Sequence, residues 1–338
     1  MKSSKTLPQK MMVTCSKALL LGTTLGIAYS GAAMAEYPER PISFVIPYGS
    51  GGATDISARA LTQALSDYSS KPIVLVNRDG SGGVVGSAHV ANSRGDGYTM
   101  LAARVGSHSV TPAMKSNIPY TLDDFSFVGI YELNPILCAA SVNSGIESMD
   151  DLVAHVREAP GNIAYSSSGV GSMQHLSSVM VLNTFGVENP LDTTVHLPMR
   201  GGGGAATAIL NGSGSFLCEN SSVIANFIKA GQLVPLMVTS KERLPEIDAP
   251  TAAELGYPEL EILVGWTGIA GPKTLNSDIS DIWSDWLDQA TADADFVKNI
   301  ESLGSVVVNM GPDESKSFVE EQSSAFSVLV DELGMRIN

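Results

Sequence analysis

Cations are scarce in this 338-residue chain: 20 Lys and Arg stand against 35 Asp and Glu, a formal net charge of −15. That balance excludes a nucleic-acid binder, which needs a basic face for phosphate. It does not exclude a small anion, because N–H groups act at short range while distant charges are screened. Aromatic residues reach only 6% against 44% hydrophobic, so the core is aliphatic. Cysteine is limited to Cys15, Cys138 and Cys218, with no CxxC and no metal-type spacing, so neither metal nor cofactor is expected. Catalytic signatures are missing as well. No Gly-rich turn runs into GK[ST], His155-Val156-Arg157-Glu158 is not HExxH, and no GxSxG occurs. The dinucleotide fingerprint starts at Gly49-Ser50-Gly51, but position 54 is Thr and no acid ends the next strand. The five histidines are scattered, and past the first 35 residues nothing reads as a membrane span.

The N-terminus reads as an export signal. Lys2, Lys5, Lys10 and Lys17 make a basic start without an acid, 18–33 is mostly apolar and small, and Ala33-Met34-Ala35 fits a small-x-small cleavage site. The apolar run is short of the ~20 residues that span a bilayer. Cys15 precedes it and so does not suit lipid attachment. Cleavage is expected after Ala35, which removes four lysines and moves the net charge from −15 to −19. Cys138 and Cys218 then remain, both in apolar strand-like runs. They can pair in an oxidising compartment, but two buried free thiols are the simpler reading.

From Tyr37 onward, short apolar runs alternate with helical periodicity, the pattern of an α/β protein with a mainly parallel sheet. Strands are expected at 42–46, 73–76 and 98–103, with helices over 56–68 and 84–93. Asn134-Pro135 separates two apolar runs, 127–131 and 136–140, and reads as a crossing into a second lobe. That lobe carries strands at 162–165, 194–197, 215–218 and 233–238. A Pro-rich stretch then returns the chain to the first lobe near Trp266. The expected division is 36–133 with about 241–338 in lobe 1, and 134–240 in lobe 2.

Three Gly/Ser-rich loops, at 47–55, 166–172 and 199–204, each follow a strand and precede a helix. The first N–H groups of a helix lack internal partners, and the helix dipole makes that end positive. Such ends accept carboxylates or phosphates, and glycine lets a ligand approach the backbone. Loops of this kind in two lobes predict an anion held between them. Thr54 and Ser172 can donate hydroxyl bonds or cap helices. Asp55 is expected to serve as a cap rather than a contact, since a bare carboxylate repels an anion. Arg104 follows the third strand and offers the fork of donors that suits a carboxylate, or else makes a surface ion pair. Arg78 is expected to buttress its own loop.

The motifs Tyr37-Pro38-x-x-Pro41-Ile42, Val45-Ile46-Pro47-Tyr48-x-x-Gly51-Gly52-x-x-Asp55, Asn77-Arg78-x-Gly80-x-Gly82-Gly83-x-x-Gly86 and Asp96-Gly97-Tyr98-Thr99 occur in this order. They continue with Tyr165-Ser166-Ser167-Ser168-Gly169-x-Gly171-Ser172-x-x-His175-Leu176 and Trp266-x-Gly268-x-x-Gly271-Pro272. Together they resemble the Bug family of periplasmic solute-binding receptors, which are associated with tripartite tricarboxylate transporters. The resemblance implies an α/β, two-lobed periplasmic-binding-protein clamshell of type II-like form, with the ligand cleft between lobes. It implies no enzyme, a periplasmic location, a monomer, a small di-, tri- or aromatic carboxylate as ligand, and membrane transporter subunits as partners. Carried onto this sequence, the ligand-binding set is Tyr48, Gly51, Gly52, Thr54, Arg104, Ser168, Gly169, Gly171, Ser172, Arg200, Glu219 and Asn220. Asp55, Asn77, Arg78, Gly82 and Gly83 shape the loops.

Departures from the family pattern are concentrated away from the first loop. Glu219 replaces the common Asp, Met199-Arg200 replaces Tyr-Lys, and Arg104 stands where many members have a small residue. Two other roles share the same site: a ligand sensor for a membrane kinase, or a hydrolase using Ser168 or Ser172 with His175.

Overall fold

The computed structural model describes residues 37–337. The expected export signal, its cleavage after Ala35 and Cys15 all lie outside the described residues. The chain runs β1 (Ile42–Ile46), α1 (Ala53–Ala64), β2 (Ile73–Asn77), α2 (Val84–Ala91), β3 (Thr99–Arg104), α3 (Thr111–Met114), β4 (Phe125–Ser141), α4 (Met149–Glu158) and β5 (Ala164–Ser167). It continues through α5 (Met173–Thr184), α6 (Pro190–Thr193), β6 (Val195–Pro198), α7 (Gly202–Leu210), β7 (Phe216–Asn220), α8 (Ser221–Lys229) and β8 (Leu233–Val238). Last come β9 (Val264–Pro272), α9 (Ser277–Ala292), α10 (Ala294–Ser302), β10 (Val306–Met310) and α11 (Pro312–Glu332).

The strands form one sheet in the order β2-β1-β3-β9-β4-β7-β5-β6, with β8 and β10 also paired to β4. Pairing is parallel within β2-β1-β3 and within β7-β5-β6, and antiparallel wherever β4 or β9 takes part. The sheet therefore has two parallel halves, each the product of strand–helix–strand crossovers, joined through β4.

Strand alternation sets where the cores lie. Met100 and Ala102 face α1, α9 and α10 in a cluster with Phe44, Leu61, Trp283 and Phe296. Leu101 and Ala103 face the opposite way, into the cluster that holds Trp266, Phe127 and Val330. In the second half Leu137, Ala139, Leu217 and Val238 pack with Ala205, Ile209 and Ile224 of α7 and α8.

Two readings of the sequence change. The two apolar runs on either side of the expected crossing at Asn134-Pro135 belong to one 17-residue strand, β4, with the pair at its middle. Proline cannot donate to a ladder and is normally kept out of central strands. Here it falls where β4 changes neighbours: its pairing with β9 ends at Pro135↔Val264, and its pairing with β7 begins at Ile136↔Asn220. The second change is that Cys138 and Cys218 form a disulfide rather than two free thiols. They are direct cross-strand partners in β4 and β7, a register that the apolar runs alone do not reveal.

The disulfide closes a sequence separation of 80 residues. Removing it in Cys138→Ala/Cys218→Ala is expected to lower stability by about 4 kcal/mol on the loop-entropy scale. Urea denaturation of the variant, beside wild type with and without reductant, checks this. The reduced wild type should converge on the variant.

Candidate ligand site

The first Gly-rich loop is held from below by a carboxylate. Asp55, 2% exposed, accepts from the Gly51 N–H at 2.9 Å and from Asn77 Nδ2 at 3.1 Å. Arg59 adds Nε at 2.9 Å and Nη2 at 3.2 Å. The Arg59 bond and then the Gly51 and Asn77 bonds hold the Asp55 carboxyl down at about 2. Asn77 Nδ2 also reaches the Tyr48 carbonyl at 3.0 Å. Asp55 and Asn77 thus lock the loop; Asp55 lies inside the first turn of α1 rather than at the cap, which is Gly52. Arg78 contributes only its backbone N–H, to the Ile46 carbonyl at 2.8 Å, and its side chain is exposed.

With Asp55 turned beneath the loop, the start of α1 is left open. Gly52 is its N-cap and supplies no side-chain bond to the first-turn N–H groups. The third loop is alike: Gly201 caps α7 without a side-chain bond. The second differs, because Ser172 Oγ accepts the His175 N–H at 3.2 Å and so caps α5. Tyr48 turns inward. Its hydroxyl is sealed without a hydrogen-bond partner, and a Cβ on Gly106 would come within 2.6 Å of it. On Gly83 the distance would be 2.9 Å, so Gly82-Gly83 serves close packing against the loop.

Arg104 ends β3 with 8% of its surface exposed. Residues 100 and 102 of its strand face α1, so alternation puts Arg104 on that side too, beyond the last apolar layer. Its Nη1 donates to Thr267 Oγ1 at 2.9 Å, and the two residues are register partners in β3 and β9.

The second half of the sheet brings Glu219 to this place. It is fully buried at the end of β7. Its Oε2 accepts from Ser168 Oγ at 2.6 Å and its Oε1 from the Asn220 N–H at 2.8 Å. Gly202 lets α7 ride directly on this carboxyl, since a Cβ there would come within 3.0 Å of Cδ. Burial pushes Glu219 up to about 7, against the Ser168, Asn220 and Gln174 hydrogen bonds and the Arg104 charge. Arg104 and Glu219, from different halves of the sheet, therefore share one electrostatic environment. Asn220 Oδ1 is sealed without a partner and lies beside Gly265.

Of the candidate residues, Arg104, Ser168, Glu219 and Asn220 are drawn into this buried cluster, with Gly169 on the same loop. Gly171 closes against the first half, where a Cβ would meet Ile337 Cδ1 at 2.7 Å and Met114 Cε at 3.3 Å. Arg200 is exposed and makes no side-chain bond among the described residues. Thr267 and Gln174 were not legible as neighbours of the site, because each arrives by strand register or helix packing. The serine–histidine reading meets a different geometry. His175 Nδ1 accepts from the Gly171 N–H at 3.2 Å, Ser168 is bonded to Glu219, and the hydroxyl of this loop that meets an imidazole is Ser167, on His196 at 2.7 Å.

A two-halved α/β fold with helix N-termini and a buried guanidinium facing a second wall is that of a solute-binding receptor. The model of the tripartite tricarboxylate transporter family receptor, TctC, matches residues 57–335. The chain belongs to this family of periplasmic solute-binding receptors. It is 30% identical to protein BugT of Bordetella pertussis over 318 residues, 93% of this chain and 95% of BugT. Among solved structures, the periplasmic binding protein BugD is 27% identical with a TM-score of 0.75, covering 89% of this chain and 99% of BugD. R. palustris Rpa4515, solved with adipate, is 25% identical with a TM-score of 0.77, covering 88% of this chain and 98% of that one. These likenesses establish the two-lobed periplasmic-binding-protein fold expected from the sequence.

The Glu219 environment predicts a pH dependence. An unfolded glutamate titrates near about 4.3. Below that both states are protonated and the residue adds nothing. As pH rises toward 7 the unfolded state ionises first, so stability falls, and it levels off above 7 at a loss of roughly 3 kcal/mol. Glu219→Gln should remove this loss, matching wild type at pH 4 and exceeding it at pH 8. Urea midpoints of both proteins across that range provide the measurement. A wild-type curve no steeper than the variant's would mean that the carboxyl ionises at its ordinary value.

Proposed function

We propose that this receptor captures a small carboxylate between its lobes and delivers it to the membrane subunits of a tripartite tricarboxylate transporter. The observation that carries the reading is the open N-terminus of α1, with Asp55 held beneath the loop and Arg104 at the end of the neighbouring strand. The open N–H groups and the guanidinium belong to lobe 1, and Ser168, bonded to the buried Glu219, belongs to lobe 2. The adipate bound in Rpa4515 supports a carboxylate as the ligand class. The ligand docks on lobe 1, 36–133 with about 241–338, and closure adds contacts from lobe 2, 134–240. The closed state gains only the ligand's differential affinity for it. The mature receptor starts after Ala35 and acts as a monomer in the periplasm.

Mono-, di- and tricarboxylates added to the purified protein test this through thermal melting. A cognate carboxylate should raise Tm in a concentration-dependent way, with about 2.7 kcal/mol of stabilisation at 100 times Kd. Neutral sugars should leave Tm where it is. A panel in which no carboxylate shifts Tm would defeat the proposal.

A further inference from the structure

Arg104 is more deeply buried than a free cation should be. A guanidinium keeps its proton under all ordinary conditions. Enclosing one without a counter-charge is costly. Yet among the described residues no carboxylate lies within 4.0 Å of it. Thr267 takes one of its N–H groups. None of its nitrogens is among the sealed atoms that lack a partner, so the remaining donors reach solvent. Glu219 feels its charge, but both Glu219 oxygens already accept bonds from Ser168 and Asn220, and Glu132, in the same cross-strand row, is taken up by Ser57 and Ser305.

The start of α1 is a separate anion seat on the same side of the sheet. Its free N–H groups can hold the two oxygens of one carboxylate. Arg104, reached from β3 and tied to β9 through Thr267, lies on the side of the sheet where α1 packs, and its charge reaches both Tyr48 of the loop before α1 and Glu219 of β7. A ligand anchored at α1 and running toward β7 would pass over the guanidinium.

We propose that Arg104 is the specificity-determining residue that pairs with a second carboxylate, making this chain a receptor for dicarboxylates over monocarboxylates of equal length. This rests on the carboxylate reading above. A planar fork of donors matches a carboxylate in two parallel bonds, so the selection is both charge and geometry. A neutral group placed there would leave the guanidinium enclosed and unpaired.

The test is calorimetric titration with succinate, glutarate and adipate, each beside its monocarboxylate (butyrate, pentanoate, hexanoate) and its monoamide. Wild type should prefer one dicarboxylate to its monocarboxylate and monoamide by roughly 10- to 100-fold, the scale of a charge-assisted hydrogen bond. Arg104→Met should lose that preference by a similar factor, weakening the dicarboxylate far more than its monocarboxylate. Arg104→Lys, which keeps the charge but not the fork, should retain part of the preference and stands in if the methionine variant fails to fold. Equal losses for both ligand types would place Arg104 on the first carboxylate and overturn the proposal. So would a wild type that binds monocarboxylates as tightly as dicarboxylates, or an Arg104→Met with unchanged selectivity. Binding of monocarboxylates alone sinks this inference and leaves the receptor reading intact. Binding of no carboxylate at all sinks both.

Discussion

Both halves of this protein hang on one strand. β4 lends its first part to β9 and β10 and its last part to β7 and β8, so its ladder is shared out along its length. Pro135 lies at the handover, where its missing N–H costs least. Around it runs a closed set of buried hydrogen bonds. Glu132 accepts from Ser57 and from Ser305 at 2.7 Å. Asn134 donates to Ser305 at 3.0 Å and to Ser222 at 2.8 Å, and accepts from Ser221 at 3.2 Å. Buried polar groups are costly unless paired, and here each pairing crosses from one element to another. The network fixes where the halves meet, and the site lies directly beside it: Arg104, Thr267 and Glu132 occupy one row across β3, β9 and β4, while Asn220 begins α8 next to Ser221.

In the proposed function an acidic protein holds an anion, and that placement accounts for how it would. The net charge is spread over an exposed surface and screened over about 10 Å. The site depends on nearer groups. Asp55, the acid closest to the open helix end, is occupied by Gly51, Asn77 and Arg59 and turned beneath the loop. An i,i+4 pair with an exposed arginine would count for little by itself. Its value here is geometric, since the same carboxylate fixes the Gly51 N–H and the Asn77 side chain that holds Tyr48.

Much of this was legible in the residues. The strand–loop–helix rhythm places the three Gly-rich loops, and glycine with small polar residues before a helical period marks their helix starts. The motifs that resemble the family lie mostly on those loops, which is why they carried over. What the sequence hid depends on partners distant along the chain. A proline between two apolar runs does not show that one strand carries both, so the crossing was legible but the continuity of β4 was not. Two cysteines in apolar runs have no visible register. Arg104 offered two equal readings, and only the absence of a nearby acid and its contact with Thr267, 163 residues away, separate a surface ion pair from an enclosed cation.

The least expected feature, a cation and an acid from different halves sharing one buried space, follows from what a receptor must avoid. A fully ionised acid with free oxygens opposite Arg104 would pair with it across the cleft. The empty protein would then be held shut, and a ligand could bind only by displacing that pair. Glu219 escapes this in two ways. Burial raises its carboxyl to about 7, so that it is only partly ionised at neutral pH, and Ser168 with the Asn220 N–H engages its oxygens. The guanidinium has no such escape, because it cannot release its proton. The asymmetry leaves one charge in the cleft without a permanent partner, and a charge in that state is neutralised only when an anion arrives. In the proposed function, closure of the halves would then be coupled to the ligand itself, through the same side chains that would have closed them without it.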